Sequence, residues 1–141
     1  MSTENNKATA RRFQDAFNAG DFDGARAVLA DNIVVHMGSD PNPLNRESFE
    51  QLGRAYRSAM SGLTSTIEDM IADGDNVVSR LTFRGTHTGD LMGIPPTGKS
   101  FTMSEIIIDR VVDGKIVESW RLADQMAMMQ QLGLIPTPGQ S

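Results

Sequence analysis

A tight turn near the end of the chain constrains the fold more than any other feature of the sequence. Asp113-Gly114 separates two runs rich in Ile and Val. This dipeptide is typical of a type I′ turn, which needs positive φ at both central residues. The turn therefore predicts a β-hairpin in which Val112 faces Lys115. Counting outward gives the further cross-strand pairs Trp120–Ile107, Leu122–Glu105 and Asp124–Met103.

Two carboxylates on one face of this hairpin form the clearest chemical signal in the sequence. Side chains alternate along a strand, so all three of the further pairs share a face. Glu105 and Asp124 then become diagonal neighbours, about 7–8 Å apart. Glu105 lies among Met103, Ile106, Ile107 and Ile108, where a carboxylate is unexpected unless it is paired or functional.

The composition excludes several classes of function. A chain of 141 residues is long enough for one domain that buries roughly 70% of its unfolded surface. The 13 basic and 18 acidic residues give a net charge of −5, which predicts no binding to nucleic acid or anionic membrane. There are no cysteines, and two histidines cannot complete a three-histidine zinc site. We expect no metal and no organic cofactor, and the lack of an apolar signal segment favours a cytoplasmic protein.

Hydrophobic periodicity predicts helices first and a sheet afterwards. Helical spacing covers residues 7–19, a second helix capped by Asp21, and a third that starts from Asn45. A short strand at 33–36 separates the second and third helices. Strands at 63–71 and 77–86, the hairpin and a short helix at 125–131 follow. This order predicts an α+β fold with an antiparallel sheet, as a single domain over 1–141 whose ends, 1–6 and 136–141, are flexible.

One segment matches the phosphate-loop pattern GxxxxGK[ST], but the match is misleading. Residues 93–100 read GIPPTGKS. The phosphate loop binds through backbone N–H groups that lead into a helix, whereas two prolines here remove donors and FTMSEIII predicts a strand. We interpret the segment as a stiff connection that covers one opening of the interior.

Asp124, Glu105 and His87 are the candidate catalytic residues. Asp124 follows a strand and precedes a short helix, so its carboxylate can cap that helix, act as a general acid/base, or do both. His87 ends a strand whose apolar parity faces the helices. Residues predicted to line a substrate pocket are His36, Tyr56, Met60, Met92, Met103 and Trp120.

Several phrases of the sequence resemble the SnoaL-like polyketide (ester) cyclase family. They are GTHTG at 85–89, GIPPTGK at 93–99, DGKIVESW at 113–120, Asp124, QLG at 131–133, and FNAGD with LADN near the start. The resemblance covers nearly the whole chain. It implies a nuclear-transport-factor-like cone, with a curved sheet around helices, an apolar cavity and a homodimer formed through the outer sheet face. It also implies that Asp124, just after the Trp of the last strand, is the catalytic aspartate.

The resemblance implies a cofactor-independent enzyme that closes a ring of a hydrophobic, oxygenated small molecule by an intramolecular aldol reaction. In this hypothesis Asp124 transfers a proton, and His87 or Glu105 orients the substrate or stabilises the enolate. Epoxide hydration or isomerisation on the same fold is the nearest enzymatic alternative. A binding protein without turnover is the alternative from another class, and a cavity that reaches unpaired carboxylates would argue against it.

Overall fold

The computed structural model describes residues 2–137, and this part of the chain forms four helices and five strands. None of these helices combines the length and the apolar character needed to cross a membrane. In chain order the elements are α1 (Thr3–Ala19), α2 (Phe22–Ala27), β1 (Leu29–Met37), α3 (Arg46–Ala59), β2 (Met60–Asp73), β3 (Asn76–His87), β4 (Ser100–Val112), β5 (Lys115–Ala123) and α4 (Gln125–Gln131).

The helices begin where side chains can accept the free backbone N–H groups of a first turn. Asp21 caps α2, and Asn45 forms a capping box with Ser48 at the start of α3, as predicted for both helices. The first helix starts earlier than predicted, because Ser2 caps it and Asn6 is fully buried. Residues 3–6 are therefore helical and not frayed. Met1 and the predicted flexible residues 138–141 lie outside the described residues.

The strands form one open sheet in the order β1-β5-β4-β3-β2. Three of its four contacts are antiparallel, but β1 pairs with β5 in parallel. The expectation of an antiparallel sheet was therefore wrong at this edge. β1 is joined to β2 through α3 and not through a hairpin, so its direction is not dictated by a tight turn. The predicted helix–then–sheet order and the α+β class are confirmed.

The hairpin forms at the predicted turn, but its register changes three residues further on. Asp113 and Gly114 have φ of 51° and 76°, and Val112 pairs with Lys115. Arg110 then pairs with Glu118 while Val111 pairs with Ile116, so Val117 is an extra residue, a β-bulge. The observed pairs beyond it are Ile108–Trp120, Ile107–Arg121, Ile106–Leu122 and Glu105–Ala123.

The bulge reverses the faces of β5 that the sequence predicts. A slip of one residue sends every later side chain to the opposite face of the sheet. Trp120 and Leu122 are therefore exposed on the outer face, whereas Arg121 is buried on the inner face. The predicted pairs that involve Trp120, Leu122 and Asp124 were wrong. The inner parity of β3 and β4 is as predicted, with Leu81 and Ile107 fully buried beneath the helices.

The loop from 88 to 99 is tied to the rest of the molecule at both ends. Thr88 and Gly89 donate backbone hydrogen bonds to the Ala59 carbonyl, at 3.0 and 2.9 Å. His87 donates to the Lys99 carbonyl and accepts from the Gly98 N–H, each at 2.8 Å. β4 begins directly after this loop, which confirms that no helix follows the GxxxxGK[ST] segment.

We predict that Gly89→Ala destabilises the protein. A Cβ atom at this position would lie 2.8 Å from the Ser58 carbonyl oxygen, and the hydrogen bond to Ala59 holds the two segments together. We expect a loss of roughly 1–3 kcal/mol in the free energy of unfolding, measured by urea denaturation. Gly53→Ala in α3 is the control, because its Cβ would meet Phe17 at an ordinary 3.4 Å. Equal stability of the two variants would contradict the prediction.

Candidate active site

A cavity of about 1010 Å³ lies between the helices and the inner face of the sheet. Its walls are mainly apolar, with aromatic side chains from α1 and the sheet and methionines from β4 and α4. The 88–99 loop contributes Leu91, Met92 and Ile94, and α4 contributes Met128 and Met129. This cavity is large enough for a small organic molecule of several rings. Polar and charged side chains also reach the wall, and the most deeply buried of the charged ones are Glu105 and Arg121.

Glu105 is the buried carboxyl group on the cavity wall, whereas Asp40 and Glu50, which also line the cavity, are more exposed. It is buried on the inner face of β4, and its Oε1 lies 4.0 Å from Nη1 of Arg121. Oε1 accepts no hydrogen bond from the described residues. Burial raises the pKa of the Glu105 carboxyl; the Arg121 cation opposes this rise and the charge of Asp109 adds to it. The result is a carboxyl able to exchange a proton nearer to neutral pH than an exposed glutamate.

Arg121 is held in place beside Glu105 by aromatic rings and a hydroxyl group. Its guanidinium lies over Phe49 and Phe13, at 4.8 and 5.3 Å from the ring centroids. Its Nε donates a hydrogen bond to Ser119 Oγ at 3.2 Å. Arg121 is also on the cavity wall. A fixed cation of this kind can stabilise negative charge that develops on a bound oxygen.

Two neutral polar side chains, those of Tyr56 and Gln14, also line the cavity. Burial, and secondarily the charge of Glu105, raises the pKa of Tyr56, so the phenol keeps its proton and remains a hydrogen-bond donor. Gln14 accepts a hydrogen bond from Ser65 through Oε1 at 3.0 Å, so its NH2 group is the end left to donate. Together with Arg121, these groups offer hydrogen bonds to oxygens of a substrate.

The structure brings four of the predicted site residues to the cavity: Glu105, Tyr56, Met92 and Met103. Glu105 and Met103 lie there because both belong to the inward-facing set of β4 side chains, as predicted. The remaining predicted residues are not part of the described wall of the cavity, and they fall into three groups.

Asp124 forms the N-cap of α4. Its side chain accepts a hydrogen bond from the Ala127 N–H at 3.1 Å, and its own N–H donates to the Ser104 carbonyl at 2.9 Å. The carboxylate is exposed and is not a diagonal neighbour of Glu105, because the bulge at Val117 has shifted the register. The structure shows the cap, and the acid/base role of Asp124 stays a prediction.

His36 and Trp120 lie together on the outer face of the sheet. Their rings stack with centroids 5.4 Å apart, and His36 Nε2 lies 2.8 Å from Glu118 Oε2. Side-chain hydrogen bonding to His36 is the main reason that the pKa of Glu118 is lowered. The expectation that these two residues line the pocket was wrong, since the pocket is on the other side of the sheet.

His87 and Met60 are buried beneath the 88–99 loop. The Thr97 N–H donates to His87 Nδ1 at 3.3 Å, and Nε2 has no partner among the described residues. Met60 packs against Leu63, Phe101 and other buried apolar side chains. Both residues therefore support the loop from below.

Sequence reasoning missed Arg121 and Asp109. Arg121 was hidden by the bulge, for which no turn residue or glycine in β5 gives a signal. Asp109 was visible in principle, since it shares the inward parity of Glu105 and interrupts an apolar run. No group of three or more His, Asp or Glu side chains among residues 2–137 is close enough to hold a metal ion.

The chain is similar to polyketide cyclases over most of its length. The model of the SnoaL-like polyketide cyclase family matches residues 7–132. The aklanonic acid methyl ester cyclase AcmA of Streptomyces galilaeus is 37% identical over 128 residues, which are 89% of this chain and 89% of AcmA.

Solved structures give the same result for the fold. AclR from Streptomyces galilaeus superposes with a TM-score of 0.88 and 27% identity, over 96% of this chain and 85% of AclR. IdmH from Streptomyces antibioticus has a TM-score of 0.82 and 34% identity, over 91% of this chain and 98% of IdmH. These likenesses confirm the predicted cone-shaped α+β fold. By its sequence and by its fold, this chain belongs to the SnoaL-like polyketide cyclase family.

Proposed function

We propose that this protein is a polyketide cyclase that closes a ring by general acid–base catalysis, with Glu105 as the group that transfers the proton. The observation that carries the proposal is a buried carboxyl of raised pKa on the wall of a large apolar cavity, with a cation 4.0 Å away. Membership of the cyclase family supports the reaction class. No metal or organic cofactor has a step in this mechanism.

In the proposed reaction, ionised Glu105 removes a proton from a carbon next to a carbonyl group. Arg121 and the Tyr56 hydroxyl stabilise the enolate oxygen as charge develops on it. The enolate carbon then attacks a second carbonyl of the same molecule, which forms the carbon–carbon bond. The new alkoxide recovers the proton from Glu105, so product and substrate are isomers and the enzyme returns to its starting state.

A binding protein without turnover fits the cavity less well. A ligand held only by apolar contacts does not require a carboxyl on the wall, and an unpaired buried oxygen such as Glu105 Oε1 costs free energy of folding. Such groups are concentrated at sites where protons move.

We predict that the protein converts aklanonic acid methyl ester, the compound in the name of AcmA, or a related polyketide ester. Aldol cyclisation leaves the mass unchanged and alters the retention time, so the reaction can be followed by liquid chromatography with mass spectrometry. A product heavier by one water would instead identify hydration of an epoxide substrate. Binding without any product across a panel of such esters and epoxides would support the non-catalytic alternative.

Glu105→Gln and Asp124→Asn separate the two candidate carboxylates. We expect Glu105→Gln to lower kcat by about 10²–10⁴-fold, since an amide cannot transfer the proton. Asp124→Asn keeps an N-cap for α4 and lies off the cavity wall, so we expect nearly full turnover. The reverse result, with Asp124→Asn inactive and correctly folded, would return the acid–base role to Asp124.

The raised pKa of Glu105 also predicts a pH dependence of stability that needs no substrate. Folded protein binds this proton more tightly than unfolded protein, so the contribution of Glu105 to stability falls as pH rises from about 4.5 through the folded pKa. The stability of Glu105→Gln relative to wild type should therefore increase over this range in urea denaturation. Glu118→Gln is a control for which the pH trend has the opposite sign, because hydrogen bonding to His36 lowers the pKa of Glu118. A flat difference for Glu105→Gln would contradict the prediction.

We further propose that the protein forms a homodimer through the outer face of β4 and β5. Two cross-strand pairs, Ile106–Leu122 and Ile108–Trp120, are exposed there and adjoin one another. Four neighbouring apolar side chains form a patch that a second copy of the same face can cover in a twofold arrangement.

We expect Leu122→Lys to convert a dimer into a monomer, because the mutation buries a charge at the centre of the contact. Size-exclusion chromatography with light scattering measures the mass at matched micromolar concentrations. Ile71→Lys is the control, since Ile71 is equally exposed but lies on the edge strand β2, which β3 separates from β4. A wild-type protein that is monomeric under these conditions would contradict the proposal.

A further inference from the structure

A second carboxylate, Asp109, is buried in the same strand as Glu105. It faces inward from β4, is 3% exposed and is not part of the described cavity wall. Its Oδ1 has no hydrogen-bond partner among the described residues. A carboxyl group in such a position costs free energy of folding unless neighbouring groups compensate for its burial.

Arg121 connects Asp109 to Glu105. It pairs with Ile107 across the hairpin, so the two carboxylates are its diagonal neighbours on either side. Ser119 pairs with Asp109, its hydroxyl group opposes the rise in the pKa of the Asp109 carboxyl, and it accepts a hydrogen bond from Arg121 Nε at 3.2 Å. The three charged groups therefore form one connected cluster inside the fold, which we call the Glu105–Arg121–Asp109 cluster.

The surroundings of the cluster supply little other charge. Tyr56 from α3 is the titratable group that interacts with Glu105 from a helix, and it stays neutral. The side chains opposite the cluster from β3, β1, α1 and α3 are uncharged: Val77, Ser79, Leu81, Val35, Met37, Phe13, Gln14 and Phe49. With both carboxylates ionised, the cluster has a net charge of −1 in an apolar environment. With one proton bound, it is neutral.

We propose that Asp109 is a positioning residue that competes with Glu105 for Arg121, so that the two carboxyl groups share one proton and Asp109 sets the ionisation of Glu105. This inference rests on the proposed function of Glu105 as the acid–base group. Burial raises the pKa of Asp109 as it does that of Glu105, which is consistent with a shared proton. The base form has the proton on Asp109 and Arg121 paired with Glu105; the acid form is the reverse.

Removing the competitor should therefore make Glu105 more acidic. In Asp109→Asn, Arg121 has a single carboxylate partner and the like charge is gone, so we expect the titration midpoint of Glu105 to fall by about one pH unit or more. The midpoint is read from the side-chain carboxyl resonance in protein labelled with ¹³C at glutamate Cδ. Glu105→Gln assigns the resonance, because only that signal disappears.

Asp113→Asn is the matched control, since Asp113 lies in the exposed turn of the same hairpin. It should leave the Glu105 midpoint in place. A folded Asp109→Asn protein whose Glu105 midpoint is unchanged or higher would overturn the proposal. If Asp109→Asn does not fold, Ser119→Ala replaces it. That variant removes a hydroxyl group that favours ionised Asp109, so it should also lower the Glu105 midpoint, by a smaller amount, and an unchanged midpoint would overturn the proposal equally.

The titration distinguishes this inference from the proposed reaction, because it is measured without substrate. A shifted midpoint in a protein that converts no ester would retain the coupling and reject the cyclase function. With an active substrate, the pH profile of kcat in Asp109→Asn should move to lower pH by the same amount as the midpoint. A loss of activity without that movement would indicate a purely structural role for Asp109.

Discussion

One extra residue in β5 determines what each face of this sheet can do. The β-bulge at Val117 turns Arg121 inward to Glu105 and turns Trp120 and Leu122 outward. Without the bulge, a tryptophan and a leucine would lie under the helices and the arginine would be in solvent. The Glu105–Arg121 pair on the cavity wall and the apolar outer patch are therefore consequences of the same local irregularity.

The charged cluster is built against the tendency of a core to be apolar. Burying two carboxylates beside one arginine is unfavourable for folding, and burial raises the pKa of each carboxyl as a consequence. Phe13 and Phe49 offset part of this cost by packing against the guanidinium, which also fixes its position. Burial makes the ionised form of these carboxyl groups less stable. Such groups can gain and lose a proton during a reaction.

The rest of the fold keeps the cavity open and covered. α4 contributes methionines to the wall and is held at both ends, by the Asp124 cap and by paired hydrogen bonds between Gln131 and the Thr102 backbone, each 2.8 Å long. The 88–99 loop covers another side and is supported from below by His87. Methionine and aromatic side chains line the space between these elements, and such side chains adapt to the shape of a bound molecule.

Local signals in the sequence were sufficient for most of the elements. The Asp113-Gly114 turn, the caps at Asp21 and Asn45, the short helix at 125–131 and the inward parity of Glu105 all follow from neighbouring residues, because turns, caps and alternation depend on short-range geometry. The same alternation failed in β5, since Val117 is an ordinary β-forming residue whose bulge depends on how β5 fits between β4 and β1.

The sequence by itself determined the α+β class, the hairpin and one carboxyl group on the cavity wall. Only the tertiary structure decided that Arg121 and Asp109 accompany that carboxyl, that Asp124 is a helix cap, and that His36 and Trp120 face away from the cavity. The physical reason is that strand register is set by pairing between distant segments. A shift of one residue, which has no local signature here, exchanges the two faces of the sheet.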